Sequence, residues 1–361
     1  MDNVCDPEII FDMNGVCNHC KTYEAVVDRY IPKPNERENK LNELIGSIKK
    51  RKKGKYDCLI GLSGGTDSSY VAYLTRQFGL NPLAVHFDNG WNSELSVSNI
   101  EKLLNGLCID LYTYVVDWNE FKDLQCAYIK ASVVDIEAIT DHAIMAVLFK
   151  IARKFKIKYI LSGSSIVTEG ILPVHWIHNK ADSLNIKDIH RKYGKLKLKS
   201  YPFLGIISRW FIKKLYDISL VRILDYVEYN RQEAQEILKS NFDWKDYGGK
   251  HYESIFTKFY QGYILPRKFK IDKRRSHLST LICAGQIDRN TALELLKKPS
   301  YNEKELIIDK KFVLKKLGFS NEEFEELMNL PRKDHMDFRS SMHLILFASR
   351  LKQKIKRFLL P

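Results

Sequence analysis

A short stretch rich in glycine and hydroxyl side chains has the residue types that hold a bound phosphate group. It consists of Ser63, Gly64, Gly65, Thr66, Asp67, Ser68 and Ser69. The glycines let backbone N–H groups converge without interference from Cβ atoms, and a helix beginning here would add its positive N-terminal end. Because the stretch contains no lysine, it does not match a Walker A loop, and γ-phosphate transfer of that type is disfavoured. We predict a phosphate or pyrophosphate site; the alternative is a glycine turn with a Thr or Asp helix cap.

The carboxylate of Asp67 would repel a phosphate ligand unless a cation lay between them. Mg²⁺ binds carboxylate and phosphate oxygens together and offsets charge that develops as a phosphate leaves. We therefore predict that Asp67 is catalytic and holds Mg²⁺.

Polar residues follow two other predicted strands. His86 and Asp88 end the first of these strands, in AVHFDNGW, and Gly163 and Glu169 follow the second, in SGSSIVTEG. Asp88 could meet a ribose, Gly163 permits close approach of a nucleotide, and Glu169 could bind metal or a sugar hydroxyl. The alternatives are a simple strand end and an ordinary surface loop.

Histidines and an aromatic residue lie near this region. Asp141 and His142 stand at a predicted helix start, where they could bind substrate or only cap the helix. His175 and Trp176, in LPVHWIHNKAD, have a loop-like context in which an aromatic ring could stack on a base or sugar. Capping and packing are the alternatives.

A basic segment interleaved with aromatics, from Tyr247 to Ile287, has the composition of a site for a diphosphate-bearing substrate. Its charged and histidine residues are Lys250, His251, Glu253, Arg267, Lys268, Lys273, Arg274, Arg275 and His277. We assign Lys250 and Arg274 to catalysis, and we assign His175, Trp176, His251, Arg267 and Lys273 to substrate binding. The alternative is a solvated, charged helix face.

Cys17 and Cys20 have the C-x-x-C spacing of half a zinc site, with Cys5 as a candidate third ligand and His19 or Cys283 as a fourth. Redox activity and chance are the alternatives. Seven scattered cysteines do not make a disulfide framework, and with no export signal they predict a reducing compartment and a cytoplasmic protein.

The composition predicts a folded protein with polyanionic partners. The chain has 361 residues, 45% of them hydrophobic, which is enough for two domains or for one with large appendages. A net charge of +14 favours nucleotides, nucleotide-sugars, RNA or anionic lipid, unless the charges only solvate helix faces. The most apolar stretches, such as YPFLGIISRWFI, are short or carry charges, so no membrane span is expected.

Strand and helix patterns alternate in the order βαβαβααβ from about residue 56. YDCLIGL, PLAVHFD, DLYTYVVD and KYILSGS read as strands. We predict an α/β fold with a doubly wound, mainly parallel sheet, whose ligand crevice lies beyond the carboxyl ends of the strands. The predicted regions are an N-terminal Cys-bearing segment (1–25), a helical linker (26–55), an ATP-binding domain (56–240) and a helical, substrate-binding C-terminal region (241–361).

SGGTDSS after the first strand of such a sheet resembles the pyrophosphate loop of the PP-loop ATP pyrophosphatase superfamily. That resemblance implies that ATP is split between its α- and β-phosphates, that AMP is transferred to a substrate oxygen, and that a nucleophile then expels AMP. Ser63, Gly64, Gly65, Asp67 and Ser68 match the loop.

From about Pro7 to Arg289 the chain also resembles the N-acetyl sugar amidotransferases of surface-polysaccharide assembly. The resemblance is carried by FDMNGVCNHC, IGLSGGTDSSYVAY, AVHFDNGWNS, SGSSIVTEG and the basic segment. It implies conversion of the acetamido group of a nucleotide-linked N-acetyl sugar into an acetamidino group, with ATP and Mg²⁺. It also implies ammonia from a separate glutaminase subunit with a cyclase-like companion. Members usually carry another C-x-x-C ahead of the position of Met1, which leaves the zinc assignment here open.

Two other functions stay open at this point. A tRNA-modifying adenylase fits the positive charge and a zinc knuckle, although the basic residues are spread along the chain and nucleic acid is the less favoured partner. A regulatory nucleotide-binding protein would keep the loop but would tolerate loss of Asp67.

Overall fold

A five-stranded parallel sheet forms the centre of the molecule. The computed structural model describes residues 1–343 and 345–346. The strands are β1 (Cys58–Gly61), β2 (Pro82–Asp88), β3 (Asp110–Val115), β4 (Tyr159–Ser162) and β5 (Ser219–Arg222). They pair in the order β3-β2-β1-β4-β5, every pair parallel, which confirms the predicted doubly wound α/β fold. β5 was not predicted, because a half-exposed edge strand of four residues has no clear apolar pattern.

Helices surround the sheet and make up most of the rest of the chain. They are α1 (Asn18–Tyr30), α2 (Pro34–Lys50), α3 (Thr66–Gln77), α4 (Glu94–Leu107), α5 (Trp118–Ala131), α6 (Ala138–Lys154), α7 (Ile166–Glu169), α8 (Ser183–Tyr193), α9 (Ile206–Tyr216), α10 (Arg231–Phe242), α11 (Ile255–Phe259), α12 (Leu265–Phe269), α13 (Lys273–Cys283), α14 (Arg289–Lys297), α15 (Glu303–Leu317) and α16 (Asn321–Asn329). A π-helical turn, Tyr260–Ile264, joins α11 to α12.

The central strand β1 is buried on both faces. Cys58 and Ile60 pack in one core with residues of α2, α3, α4 and α10, whereas Leu59 packs in another core with α6. Successive side chains of a strand point to opposite faces, so an unbroken apolar run fits a sheet covered by helices on both sides. Leu59 and Ile60 are fully buried, which contributes roughly 1.5–3 kcal/mol for each side chain.

Helix α3 positions the predicted phosphate loop. Its N-cap is Gly65, and Val71, Ala72 and Leu74 are buried against the sheet. The helix ends at Gln77, and Gly79, two residues later, adopts a left-handed φ of +64°.

The C-terminal helices form a second core beside the sheet. Phe121 of α5 packs in one cluster with Phe256 and Phe259 of α11, Val313 of α15 and Phe324 of α16. This packing holds the segment from Tyr247 to Cys283 over the carboxyl ends of the strands. The last part of the predicted helical region, residues 344 and 347–361, lies outside the described residues. Over the described part of the chain, no helix combines the length and apolar character needed to cross a bilayer.

Candidate functional site

The turn between β1 and α3 leaves little room for a side chain at its two central positions, which are both glycines. Gly64 has φ +86°, and a Cβ there would lie 3.0 Å from both the Ser96 carbonyl oxygen and the Tyr247 hydroxyl. A Cβ on Gly65 would lie 3.0 Å from Oε1 of Glu253. As N-cap of α3, Gly65 also offers no side chain to the amides of the first turn. Those amides are left for an anionic ligand, so the turn fits the predicted phosphate site.

Two aromatic residues that lie far from this turn in the sequence hold it in place. Nε1 of Trp244 and the hydroxyl of Tyr247 both donate to the Gly64 carbonyl oxygen, at 3.0 and 2.9 Å. Nδ2 of Asn99 donates to the Tyr247 hydroxyl at 2.8 Å. The loop is therefore held in one conformation before any ligand binds.

Asp67 faces a cavity of about 190 Å³ in which charged groups of both signs meet. The hydroxyl of Tyr229 donates to its Oδ1, and Nζ of Lys250 lies 3.6 Å from its Oδ2. Nζ of Lys250 also lies 2.9 Å from Oε1 of Glu169. Burial first, and then the Asp67 charge, raises the pKa of Tyr229, so Tyr229 stays a hydrogen-bond donor to this carboxylate. The structure thus places Lys250 between the carboxylates of Asp67 and Glu169.

Glu253 joins the phosphate loop to the C-terminal region. Ser63 Oγ donates to Glu253 Oε1 at 3.1 Å, and burial raises the pKa of this carboxyl group. Beside it, His251 has φ +66°, a conformation that is uncommon for a residue other than glycine. Burial, followed by the charge of Lys250, holds the pKa of His251 well below its usual range, so its imidazole is neutral.

Next to the loop lies a cavity of about 360 Å³ whose lining includes apolar residues of β2, β4 and α6 together with polar and charged groups. The apolar part of a cavity of this size suits a planar base. His86 lines it, donating from Nδ1 to the Leu62 carbonyl oxygen at 2.8 Å. Gly163 lines it as well, and a Cβ there would lie 2.9 Å from the Ser68 amide nitrogen. Asp88 instead closes the turn after β2 by accepting from the Gly90 amide at 2.8 Å.

One end of this second cavity carries acidic groups that the sequence did not single out. Oε2 of Glu137 accepts from Oγ1 of Thr257 at 2.9 Å, whereas its Oε1 is buried without a hydrogen-bond partner. Burial, and next the charge of Asp141, raises the pKa of Glu137 to about 7. Asp135 beside it accepts from Nζ of Lys180 at 2.5 Å. Glu137 is therefore the carboxyl group of this cavity best suited to exchange a proton near neutral pH.

A third cavity, of about 540 Å³, is formed mainly by the C-terminal segment and is rich in cations and tyrosines. Its cationic lining residues are Arg231, Lys250, Lys258, Lys273, Arg274 and Lys298. Arg274 is held in place by Asp272, with Nη2 to Oδ2 at 2.7 Å, and by the Lys298 carbonyl oxygen at 2.7 Å from Nη1. Burial lowers the pKa of Lys273, which lines both this cavity and the second one. This composition suits a ligand that carries phosphate groups.

Several residues predicted to bind substrate lie apart from these cavities. Arg267 is largely exposed and forms a two-point ion pair with Glu325, at 3.0 and 2.7 Å. Trp176 is buried, and its Nε1 donates to the Cys5 carbonyl oxygen at 3.0 Å. His175 lies 3.6 Å from a carboxylate oxygen of Asp6. In the described structure these three residues support the N-terminal and C-terminal segments instead of reaching the loop.

His142, which was also a candidate for substrate binding, connects two backbone segments in the structure. Its Nδ1 donates to the Lys180 carbonyl oxygen at 2.6 Å, and its Nε2 accepts from the Leu204 amide at 2.9 Å. Asp141 does line the second cavity, with Oδ2 at 3.1 Å from Nζ of Lys180.

The C-x-x-C pair lies at the start of α1. The Sγ atoms of Cys17 and Cys20 are 3.3 Å apart, and Cys283 of α13 brings its Sγ to 4.0 Å from that of Cys20. Burial raises the pKa of Cys20 to about 12, and His19 pairs with Asp6. Among residues 1–343 and 345–346, no group of three or more His, Cys, Asp or Glu side chains has an arrangement that could hold a metal ion. The thiol cluster thus contains Cys283 and not the predicted Cys5, and zinc binding remains a prediction.

Two family models match separate parts of the chain. Residues 39–173 match a model described as NAD synthase, and residues 253–352 match one described as LPS biosynthesis protein WbpG-like, C-terminal domain. The phosphate loop falls in the first match, and most of the cationic third cavity falls in the second. The first match agrees with the observed parallel sheet and confirms the predicted PP-loop fold.

Individual relatives are distant. An uncharacterised protein from Methanocaldococcus jannaschii is 22% identical over 301 residues, which are 81% of this chain and 88% of that protein. A tRNA(Ile)-lysidine synthase from Chlamydia pneumoniae is 37% identical over 71 residues, 19% of this chain and 22% of that protein. Solved structures that resemble the chain include an NMN synthetase from Francisella tularensis, at 16% identity and a TM-score of 0.31, covering 58% of this chain and 87% of that one. An NH₃-dependent NAD synthetase from Campylobacter jejuni has the same identity and TM-score and covers 59% and 86%.

Proposed function

The chain belongs to an LPS-related family of PP-loop proteins of the amidotransferase type, and on that premise we propose the following reaction. The protein adenylates the acetamido oxygen of a nucleotide-linked N-acetyl sugar with ATP and replaces that oxygen with nitrogen from ammonia. The product is an acetamidino sugar for a surface glycan.

The observation that carries this proposal is the position of Lys250. It lines both the phosphate-loop cavity and the cationic third cavity, so its ammonium group stands where the two meet. A phosphate-bearing sugar held in the third cavity would present its reacting group beside the loop that holds ATP. The base of ATP would occupy the apolar part of the second cavity, which also adjoins the loop.

The chemistry explains why such a site needs a cradle for pyrophosphate. An amide oxygen is a poor leaving group, so it first attacks the α-phosphorus, and the bond from that phosphorus to the β-phosphate bridging oxygen breaks. Pyrophosphate then departs toward the amides of the Gly65 turn. Ammonia adds to the carbon of the protonated imidate, the added nitrogen loses one proton, and AMP leaves with the former amide oxygen, which gives the acetamidino group as its amidinium cation.

The residues of the chain divide this work among them. Asp67 would hold Mg²⁺, which when bound offsets negative charge on the phosphate oxygens, and Tyr229 orients that carboxylate. Lys250 stabilises charge on the departing pyrophosphate. Glu137, with its unpartnered oxygen in the adjoining cavity, accepts the proton that ammonia loses. Arg274 and Lys273 hold the phosphates of the sugar nucleotide.

The ammonia would be delivered by a separate glutaminase subunit with a cyclase-like companion. The rival activity is adenylation of tRNA, which the match to a tRNA(Ile)-lysidine synthase favours over 19% of the chain. Both reactions release AMP and pyrophosphate, so the substrate that supports turnover distinguishes them.

The test is AMP formation by the full-length protein with ATP, Mg²⁺ and ammonium, with UDP-linked N-acetyl sugars in one set of reactions and a tRNA pool in another. We expect AMP only with a sugar nucleotide, together with a sugar product in which NH has replaced O by mass spectrometry. Asp67→Asn is expected to lower turnover by at least about 100-fold while ATP still binds. The matched control is Asp110→Asn, which should leave turnover unchanged. Asp110 lies at the amino end of β3, whereas the phosphate loop lies at the carboxyl ends of the strands. AMP formation with tRNA alone would exclude the sugar reaction, and unchanged turnover in Asp67→Asn would exclude the assigned site.

A further inference from the structure

Helix α9 presents an unusual apolar face to solvent. None of its eleven residues is buried, although most of its sequence is apolar. Ile207, Trp210, Phe211 and Leu215 are 72%, 54%, 58% and 75% exposed. Their spacing of three, four and eight residues from Ile207 places them on one side of the helix. Four large exposed side chains in one row form a contiguous surface of the kind that marks an interaction site.

The opposite side of α9 anchors it firmly to the domain. Ile212 packs against the core formed by β4 and α6, and the guanidinium carbon of Arg209 lies 5.5 Å from the ring centroid of Phe149. In the outward row itself, the rings of Trp210 and Phe211 pack edge to face, with their centroids 5.0 Å apart. The outward apolar row is thus a fixed feature of a docked helix.

Cations surround this row. Lys213 and Lys214 lie on α9 itself, which contains no acidic residue. Nζ of Lys214 sits 5.1 Å from a ring centroid of Trp210. Near the C-terminal end of the helix, Arg153 lies over the Tyr216 ring at 5.6 Å.

A second group of cations gathers at that same end. Lys158 donates to the Tyr216 carbonyl oxygen, and burial, followed by the charges of Lys53 and Arg51, lowers the pKa of Lys158. The acidic residue that directly follows the helix, Asp217, is paired with Arg51. Apart from Arg51, these cations form no ion pair within the described residues, and positive charges crowded this closely favour an anionic surface as their partner.

We propose that α9 and its flanking cations dock the protein onto an anionic lipid surface. An apolar row that contains Trp, Phe and Leu, bordered by Lys and Arg, is the pattern of a helix that lies in the plane of a membrane interface. The apolar side chains enter the headgroup boundary while the cations meet lipid phosphates. A second copy of this chain is a poorer occupant, since a two-fold contact would bring the same cations against each other.

The test is flotation of the full-length protein with phosphatidylcholine vesicles that contain or lack phosphatidylglycerol. We expect binding to the anionic vesicles only, and its loss at high salt. The sequence has five tryptophans, of which Trp91, Trp176 and Trp244 are buried and Trp118 is partly buried. A blue shift of the emission on binding, absent in Trp210→Phe, would therefore report insertion of α9.

Phe211→Ser with Leu215→Ser is expected to weaken anionic-vesicle binding at least tenfold. The matched control is Ile307→Ser with Ile308→Ser on α15, which removes two equally exposed apolar side chains from another surface and should bind as wild type does. Three results would overturn the proposal: no binding to anionic vesicles, equal loss in both double variants, or self-association in light scattering that only the α9 variant abolishes. The last result would assign the face to a second copy. None of these measurements depends on the proposed enzymatic activity.

Discussion

Replacing Glu137 with glutamine should change how the stability of the protein depends on pH. Burial raises the pKa of Glu137 from its ordinary value of 4.5 to about 7. An acid with a raised pKa binds its proton more tightly in the folded state than in the unfolded state. Its stabilising contribution to the free energy of unfolding is therefore complete below the unfolded pKa and is lost as pH rises through the folded pKa. The wild type therefore loses stability between these two values, whereas the glutamine variant has no such loss from this position.

The size of the effect follows from the shift. One pKa unit corresponds to about 1.4 kcal/mol, so the full penalty of ionising Glu137 in the folded protein is about 3 kcal/mol. Of that penalty, about 2.5 kcal/mol develops between about pH 5 and about pH 8. Other groups titrate alike in both proteins, so they cancel when the variant is compared with the wild type.

Urea unfolding of both proteins at the two pH values provides the measurement. The difference in unfolding free energy, variant minus wild type, should be more positive by about 2 to 3 kcal/mol at the higher pH. Glu101→Gln, an exposed position on α4, serves as the control and should show the same difference at both pH values. If Glu137→Gln behaves as this control does, Glu137 is not held protonated by its surroundings, and its role as proton acceptor near neutral pH loses its basis.

Two further predictions concern ATP binding and the C-terminal region. Gly163→Ala should weaken ATP binding at least about tenfold in calorimetry, because its Cβ would lie 2.9 Å from the backbone nitrogen of Ser68, and backbone cannot move aside as a flexible side chain can. Lys268→Met should lower the free energy of unfolding by about 2 to 3 kcal/mol in urea, since its Nζ donates to three carbonyl oxygens at the end of α16, at 2.5, 3.2 and 2.9 Å.

Each of these variants has a matched control. Gly46→Ala on α2 places a Cβ where nothing lies within 4 Å, so ATP binding should be unchanged and stability should rise by roughly 0.5–1 kcal/mol. Lys304→Met, at an exposed position on α15, should change stability by less than about 0.5 kcal/mol. Wild-type affinity in Gly163→Ala, or wild-type stability in Lys268→Met, would contradict the corresponding prediction.

The central elements of the fold could be predicted because their patterns are local. β1 to β4 are apolar or β-branched runs of four to seven residues, and α3 to α6 have the helical period between them. β5 could not be predicted because it is a four-residue edge strand in which Leu220 and Arg222, on one face, are exposed. The YPFLGIISRWFI stretch is apolar, yet only the packed structure shows that α9 packs the partly buried Ile212 against the core and leaves Trp210 exposed.

The functional site was predictable where a short local pattern indicates the ligand. The positive φ of Gly64 favours glycine, and a Cβ at Gly65 would crowd Glu253, so the glycine-rich loop and its ligand class could be read from the chain. The sequence could not show which cations of the basic segment reach the site and which lie elsewhere. Lys250 and Arg267 belong to the same basic segment, but the first meets Asp67 whereas the second pairs with Glu325.

The sequence by itself therefore determined four of the five strands of the sheet, the phosphate loop and the chemical character of the ligand. Tertiary structure alone decided which distant side chains reach that loop, as Tyr229, Lys250 and Glu253 do from more than 150 residues away. The physical reason is that helical and strand periods, and the demand for glycine, act over a few neighbouring residues. The partner of a long charged side chain is instead chosen by the packing of elements far apart in the chain, and that packing left Arg267, His175 and Trp176 away from the site.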